Sequence, residues 1–387
     1  MRVVGAGAGL VMGAVAGLLV LAGCQAPAGP APAAKASAPT APAAKPASAT
    51  TAGPGATVAP VAAAPTARPA PATVKLADPL VFTSAPVLVA IEKGYFQEQG
   101  IEVELERAAG GADVIPQLAT GELHVTHGGI SPGMFNAIER GVEVRVIAPL
   151  NIIPEGEGST QVLIRKELAD RGELRSPADL RGRRVAVNTS GSLVAWQLDK
   201  VLEQHGLNIT EVDRVTIPFP EMPIALANGS VDAITVVDPF RLNAITQGAG
   251  VPFITRTTPG AMTTSIIASG KWLQEQPDAV RRFTVGLMKG VRDLQGPEKG
   301  KADMERLFRP ENVPIYQKHL GASEQVMRQW VPSVWEPDLE IPIATMMEQQ
   351  AWFQRYGQLT YQQLLTAERV ADESYARHAR EVLGPAR

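Results

Sequence analysis

Short β-rich runs alternate with helical stretches through most of the chain after residue 74. Residues 74–77 predict a first strand, residues 85–97 a helix, and the alternating residues 101–105 a second strand. After a polar, Gly-rich crossing at residues 152–160 the alternation starts again, and residues 265–269 predict a strand that returns to the first half. Strands that alternate regularly with helices are typical of parallel α/β units. The pattern therefore predicts an α/β fold.

The two crossings divide the predicted fold into two α/β lobes joined by a two-segment hinge. Lobe I comprises residues 74–160 and 265–387, and lobe II comprises residues 161–264. Beyond residue 271 the chain is nearly all helical, with amphipathic stretches at residues 278–294 and 343–355. Because such helices usually bury their apolar face on a core, we expect them to cover a lobe rather than to bind a partner.

The chain starts with an apolar run that follows the basic Arg2 and ends in Leu-Ala-Gly before Cys24. This arrangement predicts a lipoprotein signal peptide at residues 1–23 and lipidation of Cys24. We expect an extracytoplasmic protein, in the periplasm or on the outer face of the membrane. Acyl chains, which contribute about 0.8 kcal/mol per buried CH₂, would anchor it to the cell membrane. An uncleaved span is the alternative, since the run approaches the roughly 20 residues that a membrane span needs.

Composition adds three constraints. Residues 24–73 are almost wholly Ala, Pro, Thr, Ser, Gly and Lys, which predicts a disordered tether because such a segment buries too little apolar surface to fold. Cys24 is the only cysteine of the chain, which excludes an internal disulfide. The net charge is −3 and the charges are interspersed, so we expect no nucleic-acid partner.

Four short segments occur in an order and a spacing that carry a family likeness. They are residues 90–96 (Ala-Ile-Glu-Lys-Gly-Tyr-Phe), 118–123 (Leu-Ala-Thr-Gly-Glu-Leu), 176–182 (Ser-Pro-Ala-Asp-Leu-Arg-Gly) and 227–233 (Ala-Asn-Gly-Ser-Val-Asp-Ala). Together they resemble the solute-binding proteins of nitrate, sulfonate, taurine and thiamine-pyrimidine ABC transporters, the NMT1/THI5-like and SsuA-like proteins. One departure is His124, where the family usually has an acidic residue, as Asp232 is in the second half. We expect a structural role for both residues.

The resemblance implies the bilobed periplasmic-binding-protein fold of type II. It implies a monomer without a cofactor that captures a small organic solute of the sulfonate, aminopyrimidine or aromatic type and delivers it to an ABC permease. One alternative is a sensory lipoprotein that presents its ligand to a receptor. Another is an exported enzyme similar to the fungal thiamine-pyrimidine synthase, but the cysteine-rich segment of that enzyme has no counterpart here.

Ligands of open α/β sheets bind beyond the carboxyl ends of the strands, where helix N-termini present free N–H groups. In this sequence those places are four loops rich in hydroxyl groups and glycine. The loops contain no Lys or Arg, Arg241 being the nearest, so we expect a neutral or singly charged ligand. With residues of the crossings added, the predicted ligand-binding residues are Phe82, Thr83, Ser84, Gly129, Ile130, Ser131, Asn151, Thr189, Ser190, Gly191, Ser192, Asp238, Phe240 and Thr264.

Each of these residue types also has an ordinary structural use. The Thr189–Ser192 loop opens a predicted helix, so its hydroxyl groups suit an oxyanion or a carbonyl group, but serine is also a common helix N-cap. Asp238 is suited to accept hydrogen bonds from an amine. Phe82 and Phe240 are suited either to stack on a ligand ring or to pack in the core.

His124 and His127 raise the question of a metal site, because histidine pairs ligate zinc. Residues three apart on a strand point to opposite faces, so we predict no shared metal site. His127 alone, at the end of a strand, remains able to reach the ligand-binding cleft expected between the two lobes. The sequences typical of zinc proteases, phosphate-binding loops and serine hydrolases do not appear in the chain.

Overall fold

Ten strands form the framework of the part of the chain that the structure, a computed structural model, describes: residues 70–108, 113–189, 191–331 and 333–386. The predicted signal peptide, Cys24 and nearly all of the predicted tether precede residue 70 and lie outside the described residues, as does Ser190. The strands are β1 (Ala72–Asp78), β2 (Ile101–Arg107), β3 (Val125–Gly128), β4 (Val144–Ile152), β5 (Thr160–Arg165), β6 (Arg184–Val187), β7 (Asp213–Thr216), β8 (Ala233–Val237), β9 (Gly250–Ile254) and β10 (Met262–Ser269).

The first sheet has the strand order β2-β1-β3-β10-β4. Strand β1 is parallel to both of its neighbours, with Leu76 opposite Leu105 and Val125. Strand β10 runs antiparallel between β3 and β4, with Ile266 opposite His127 and Ala148. The carboxyl ends of β1, β3 and β4 therefore share one edge with the start of β10.

The second sheet has the strand order β7-β6-β8-β5-β9. Strand β6 is parallel to both neighbours, with Val185 opposite Arg214 and Ala233. Strand β5 runs antiparallel between β8 and β9, with Ile164 opposite Ala233 and Val251. The carboxyl ends of β6 and β8 consequently share one edge with the start of β5.

Both sheets are mixed, since one strand in each runs antiparallel to its neighbours. The two antiparallel insertions, β5 and β10, are the strands that follow the crossings between the sheets. The crossings run beside each other, since Ile153 N–H donates to Ala261 O and Gly158 N–H donates to Thr255 O, both at 2.9 Å. A strand that begins at the carboxyl ends of its neighbours must run antiparallel to them. The predicted return strand is confirmed as β10.

Helices cover the faces of both sheets. In the described ranges they are α1 (Ala85–Glu92), α2 (Tyr95–Glu98), α3 (Ile115–Thr120), α4 (Pro132–Glu139), α5 (Lys166–Asp170), α6 (Leu193–Gln204), α7 (Met222–Ala227), α8 (Phe240–Thr246), α9 (Gly270–Glu275), α10 (Pro277–Leu294), α11 (Met304–Leu307), α12 (Val313–Leu320), α13 (Glu324–Met327), α14 (Ile343–Arg355), α15 (Ala367–Val370) and α16 (Ser374–Leu383). No helix in these ranges combines the length and the apolar character that crossing a membrane requires.

The helix predicted over residues 85–97 is divided into two. Helix α1 ends at Glu92, and α2 begins only after Gly94, which has a φ of 77°. Glycine adopts this left-handed conformation without the steric cost that a Cβ imposes, so the local sequence breaks the helix there. The two C-terminal amphipathic helices are confirmed as α10 and α14.

Helix α14, in the C-terminal region, contacts helices that pack on both sheets. Its Phe353 ring lies 6.1 Å from the ring of Phe135 on α4. Its Trp352 Nε1 donates to Asp199 Oδ2 on α6 at 2.6 Å. Helix α4 follows a strand of the first sheet and α6 follows a strand of the second, so α14 contacts both.

Candidate ligand-binding site

A buried polar cluster lies at the carboxyl edge of the first sheet. Asp78 ends β1, Ser84 ends the 3-10 turn Phe82–Ser84, and His127 lies near the end of β3. Ser84 Oγ donates to Asp78 Oδ1 at 2.5 Å, and His127 Nδ1 lies 3.0 Å from Asp78 Oδ2. All three side chains are fully buried. The cluster fixes the turn that carries Thr83 against the end of the sheet.

Asp78 remains a carboxylate in this buried place. Burial by itself raises the pKa of its carboxyl group, but the adjacent His127 charge and the hydrogen bonds from His127, Ser84 and Leu80 N–H outweigh it. The pKa of Asp78 is therefore below its ordinary value. A carboxylate accepts the Nδ1 proton of His127, which leaves Nε2 to face the Thr83 hydroxyl group at 3.4 Å.

His127 lies between the carboxylate of Asp78 and the hydroxyl group of Thr83. The catalytic triads of nucleophilic hydrolases have the same sequence of carboxylate, imidazole and hydroxyl. Here the imidazole also lies 3.3 Å from Ser84 Oγ through the same Nδ1. His127 has no exposed surface, and only Thr83 of this group is partly exposed. The arrangement therefore orients the Thr83 hydroxyl group at the sheet edge.

Phe82 packs in an aromatic cluster beside this turn. Its ring lies 5.3 Å from Trp330 and 6.3 Å from Trp335, centroid to centroid, at steep angles. Phe308 and Tyr316 complete the cluster. Trp335 Nε1 donates to Thr83 O at 3.3 Å. Trp330 and Trp335 thus both lie beside the edge of the first sheet.

A second group forms where the chain leaves and re-enters the first sheet. Asn151 is almost fully buried on β4, and its Oδ1 accepts a hydrogen bond from Thr263 Oγ1 at 2.6 Å. Thr264 lies opposite Asn151 on β10, and its buried Oγ1 has no hydrogen-bond partner among the described residues. Gly129 lies close to the backbone of Thr263, because a Cβ on Gly129 would be 3.3 Å from Thr263 O.

At the edge of the second sheet, Asp238 follows β8 and pairs with Arg241 on α8. Arg241 Nε donates to Asp238 Oδ1 at 3.1 Å, and its Nη2 donates to Oδ2 at 3.1 Å. Asp238 Oδ2 also accepts Val331 N–H at 2.7 Å, while Arg241 Nη2 donates to Gln329 O at 3.0 Å. Residues 329–331 therefore connect Phe82 of the first sheet, through Trp330, to Asp238 of the second.

The loop after β6 lies against elements of the first sheet. A Cβ on Gly191 would be 3.0 Å from Pro132 Cγ, on α4, and 3.1 Å from Gln358 Oε1. Ser192 is the N-cap of α6, since its Oγ accepts Ala195 N–H at 3.2 Å. Its hydroxyl group also donates to the carbonyl oxygen of the exposed Thr189 at 3.0 Å.

The remaining predicted residues have ordinary structural contacts. Ser131 is the N-cap of α4, with its Oγ 3.3 Å from Met134 N. Ile130 is 4% exposed and belongs to the apolar core. Phe240, the first residue of α8, stacks on Phe219 with the rings 6.1 Å apart and 14° from parallel. A ligand role for these residues stays a prediction.

Residues 67–306, more than half of the chain, match the sequence profile of the NMT1-like family. The chain belongs to the NMT1-like family. This NMT1-like protein is 28% identical over 172 residues to a Haemophilus influenzae protein whose name refers to thiamine biosynthesis, covering 44% of this chain and 51% of the relative. The chain thus spans about half the length of that relative.

Two further comparisons involve named binding proteins. The NMT1-like protein is 25% identical over 247 residues to the taurine-binding periplasmic protein of Escherichia coli, covering 62% of this chain and 72% of the relative. Its fold is similar to that of the alkanesulfonate-binding protein SsuA from Xanthomonas axonopodis pv. citri bound to MOPS, with a TM-score of 0.58, 18% identity, and coverage of 78% and 98% of the two chains. The predicted periplasmic-binding-protein fold is thereby confirmed.

A surface cavity of about 450 Å³ lies beside the crossings of the NMT1-like protein. Ile153 and Gly260 line it from the crossings, and Lys299 and Glu336 line it from the C-terminal region. None of the predicted ligand-binding residues lines this cavity. It adjoins the end of β4 through Ile152, but it does not include the predicted residues.

Three residues that were not predicted to bind a ligand lie near the predicted ones in this NMT1-like protein. Asp78 is acidic at the carboxyl end of a strand, a signal that was available. Gln161 is the lone amide in an apolar strand, which is also unusual. Trp330 belongs to an irregular segment far along the chain, and no local pattern indicated its place beside Phe82.

Proposed function

We propose that this protein captures a small organic solute between its two sheet edges and delivers it to an ABC permease. The observation that carries the proposal is the short segment of residues 329–331 that contacts both edges. Trp330 packs on Phe82 at the first edge, and the next residue, Val331, donates its N–H to Asp238 at the second. One short segment thus contacts a predicted ligand-binding residue of each sheet, Phe82 in the first and Asp238 in the second.

The comparisons support transport rather than catalysis. One relative is named for binding taurine, and a protein of the same fold is described as alkanesulfonate-binding. This likeness supports solute binding for transport, and we add the permease partner, a monomeric state and the absence of catalysis as proposals. Binding in the cleft would favour a closed arrangement of the lobes by the ligand's differential affinity for that state.

The charges at the site favour a neutral or singly charged solute. Arg241 lies next to the predicted residues Asp238 and Phe240, and its guanidinium group is already bonded to Asp238 and to Gln329 O. A multiply charged anion would need positive charge that these bonds have already engaged.

We further propose that Cys24 carries the membrane anchor, with residues 24–73 as a tether. The proposal is supported by the sequence around Cys24 and by the relative that is named periplasmic. Metabolic labelling with palmitate should mark the full chain and should not mark Cys24→Ser. Labelling of the variant would contradict the anchor without affecting the solute-binding proposal.

A thermal-shift screen of the purified chain tests solute binding. The solutes are nitrate, alkyl and aryl sulfonates, aminopyrimidines, flavins and aromatic acids. A ligand present at about 100 times its Kd stabilises the folded state by about 2.7 kcal/mol. The absence of any shift, with calorimetry confirming it, would contradict solute binding in these classes.

A matched pair of variants tests the site. Gly191→Trp places a bulky side chain where Pro132 and Gln358 leave little room, and it should abolish the shift. Gly156 lies in a crossing, and a Cβ there would meet nothing within 4 Å. Gly156→Trp should therefore retain binding. Equal binding by both variants would remove the Gly191 loop from the site.

A further inference from the structure

Two amide side chains of the second sheet have buried polar atoms without hydrogen-bond partners. Gln161 is 1% exposed, and neither its Nε2 nor its Oε1 has a partner among the described residues. The Oδ1 atom of Asn188 is likewise buried and unpartnered within that part of the chain. A buried amide normally finds partners, because leaving it unsatisfied costs free energy. These two amides therefore need an explanation.

Strand register brings the two amides to the same place. Gln161 on β5 lies opposite Val236 on β8, one residue before the end of that strand. On the other side of β8, Ala186 lies opposite Ile234, and Asn188 directly follows β6. Both amides therefore lie at the carboxyl edge of the second sheet, where Asp238 follows β8.

The face of the sheet that carries Gln161 is apolar. Leu163 follows Gln161 by two residues, so both side chains lie on one face of the sheet. Leu163 belongs to the core cluster against which the stacked rings of Phe219 and Phe240 pack. The nearby Arg241 is bonded to Asp238.

We propose that Gln161 binds the polar group of the solute, and that this group carries an N–H donor and an acceptor side by side, as in a carboxamide or a lactam. Gln161 Nε2 then donates to the solute carbonyl and Oε1 accepts its N–H, which satisfies both atoms at once. Asn188 Oδ1 accepts a second N–H. The inference rests on the proposed function, because it assigns the ligand class of the same cleft. A sulfonate or carboxylate, which only accepts, would leave Gln161 Oε1 unsatisfied.

Calorimetry with matched probes tests the ligand class on the full chain. Nicotinamide, nicotinate and pyridine-3-sulfonate share one ring and differ in the polar group, and δ-valerolactam supplies the lactam. We expect nicotinamide or the lactam to bind at least tenfold more tightly than either anion. We expect Gln161→Met, which keeps the length of the side chain, to weaken that binding at least tenfold.

Preference for an anion, unchanged in Gln161→Met, would overturn the inference and leave solute binding intact. Failure of all four probes and of the wider solute screen would overturn both. Carboxamide binding that Gln161→Met leaves unchanged would refute the role of Gln161 while sustaining solute capture.

A second measurement needs no ligand. Gln295 is also 1% exposed, but its Nε2 donates to Glu298 O and Lys301 O and its Oε1 accepts Trp335 N–H. We expect Gln295→Met to lower the thermal midpoint by several degrees, because it breaks these bonds. Gln161→Met should leave the midpoint unchanged or raise it. An equal loss in both variants would show that the Gln161 amide has structural partners and would contradict the inference.

Discussion

His124 in the first sheet and Asp232 in the second accept a backbone N–H at equivalent places. His124 precedes β3 and its Nδ1 accepts Lys75 N–H from β1 at 3.0 Å, while Asp232 precedes β8 and its Oδ2 accepts Arg184 N–H from β6 at 3.1 Å. In each case the acceptor sits one residue before its strand and joins the adjacent parallel strand. The expected structural role of both residues is therefore confirmed, and histidine replaces the usual carboxylate without losing the bond.

This replacement should make the first sheet sensitive to mild acid. Burial lowers the pKa of His124, the Lys75 charge adds to the effect, and Glu104 opposes it. A folded-state pKa below the unfolded value of about 6.5 means that folding favours neutral His124. Its contribution is fully present above about pH 6.5 and is lost as the pH falls through the folded pKa. His124→Asn keeps a hydrogen-bond acceptor that does not titrate. Urea unfolding should therefore show that this variant loses less stability than wild type as the pH falls below about 6.5. His205→Asn, at an exposed position, should behave as wild type.

The buried carboxylate of Asp78 should respond at lower pH. Because the pKa of Asp78 is lowered in the folded state, its contribution is present above the unfolded pKa of about 3.9 and is lost as the pH falls through the folded value. Asp78→Asn should cost about 2 kcal/mol near neutral pH, since hydrogen bonds to a charged group are lost. The difference from wild type, measured by denaturant unfolding, should shrink below about pH 4. A difference independent of pH would contradict the assignment.

Removing the guanidinium group of Arg241 should be strongly destabilising. Its side chain and that of Asp238 are 10% and 9% exposed, so Arg241→Met leaves a nearly buried, uncompensated carboxylate. We expect a loss of about 3 kcal/mol in unfolding free energy. Arg184 pairs with Asp213 at 3.3 Å, but both side chains are more than half exposed. Arg184→Met should therefore change stability by less than about 1 kcal/mol, and similar losses in the two variants would argue against the difference in burial.

The hydrogen bonds of Asp199, on α6, to residues of α14 should contribute to the free energy of unfolding. Its carboxylate accepts hydrogen bonds from Ile209 N–H and Trp352 Nε1 at 2.6 Å and from the Tyr356 hydroxyl group at 2.8 Å. Burial, followed by the hydrogen bond and the charge of Asp199, raises the pKa of Tyr356 to about 12, so Tyr356 stays a donor at neutral pH. Chemical unfolding should show a loss of about 3 kcal/mol for Asp199→Ala and about 1 kcal/mol for Tyr356→Phe. Equal losses would mean that Tyr356 carries the whole link.

Local signals in the sequence predicted much of the framework. The serine cap of α6 and the bounds of α14 were readable from neighbouring residues, because caps and helical periodicity act within a few positions of the chain. The family likeness was readable too, since it consists of short segments in a fixed order. The helix break at Gly94 was missed, although glycine gave the signal.

The site depended on contacts that no local pattern encodes. From the sequence Asp238 was suited either to accept hydrogen bonds from an amine or to a structural use, and the structure gives it Arg241 and Val331 N–H, the latter 93 residues away. Phe82 was equally suited to a ligand or to the core until Trp330 was placed beside it. These contacts decide which atoms are still available to a solute.

The sequence by itself determined the alternation of strands and helices, the helix caps and the membership of a family. The tertiary structure decided the direction of β5 and β10, the pairing of Asp238 with Arg241 and the isolation of the Gln161 amide. The reason is one of range: backbone conformation is biased by residues within one or two turns. Whether a buried donor or acceptor is satisfied depends on side chains that only folding brings within about 3 Å.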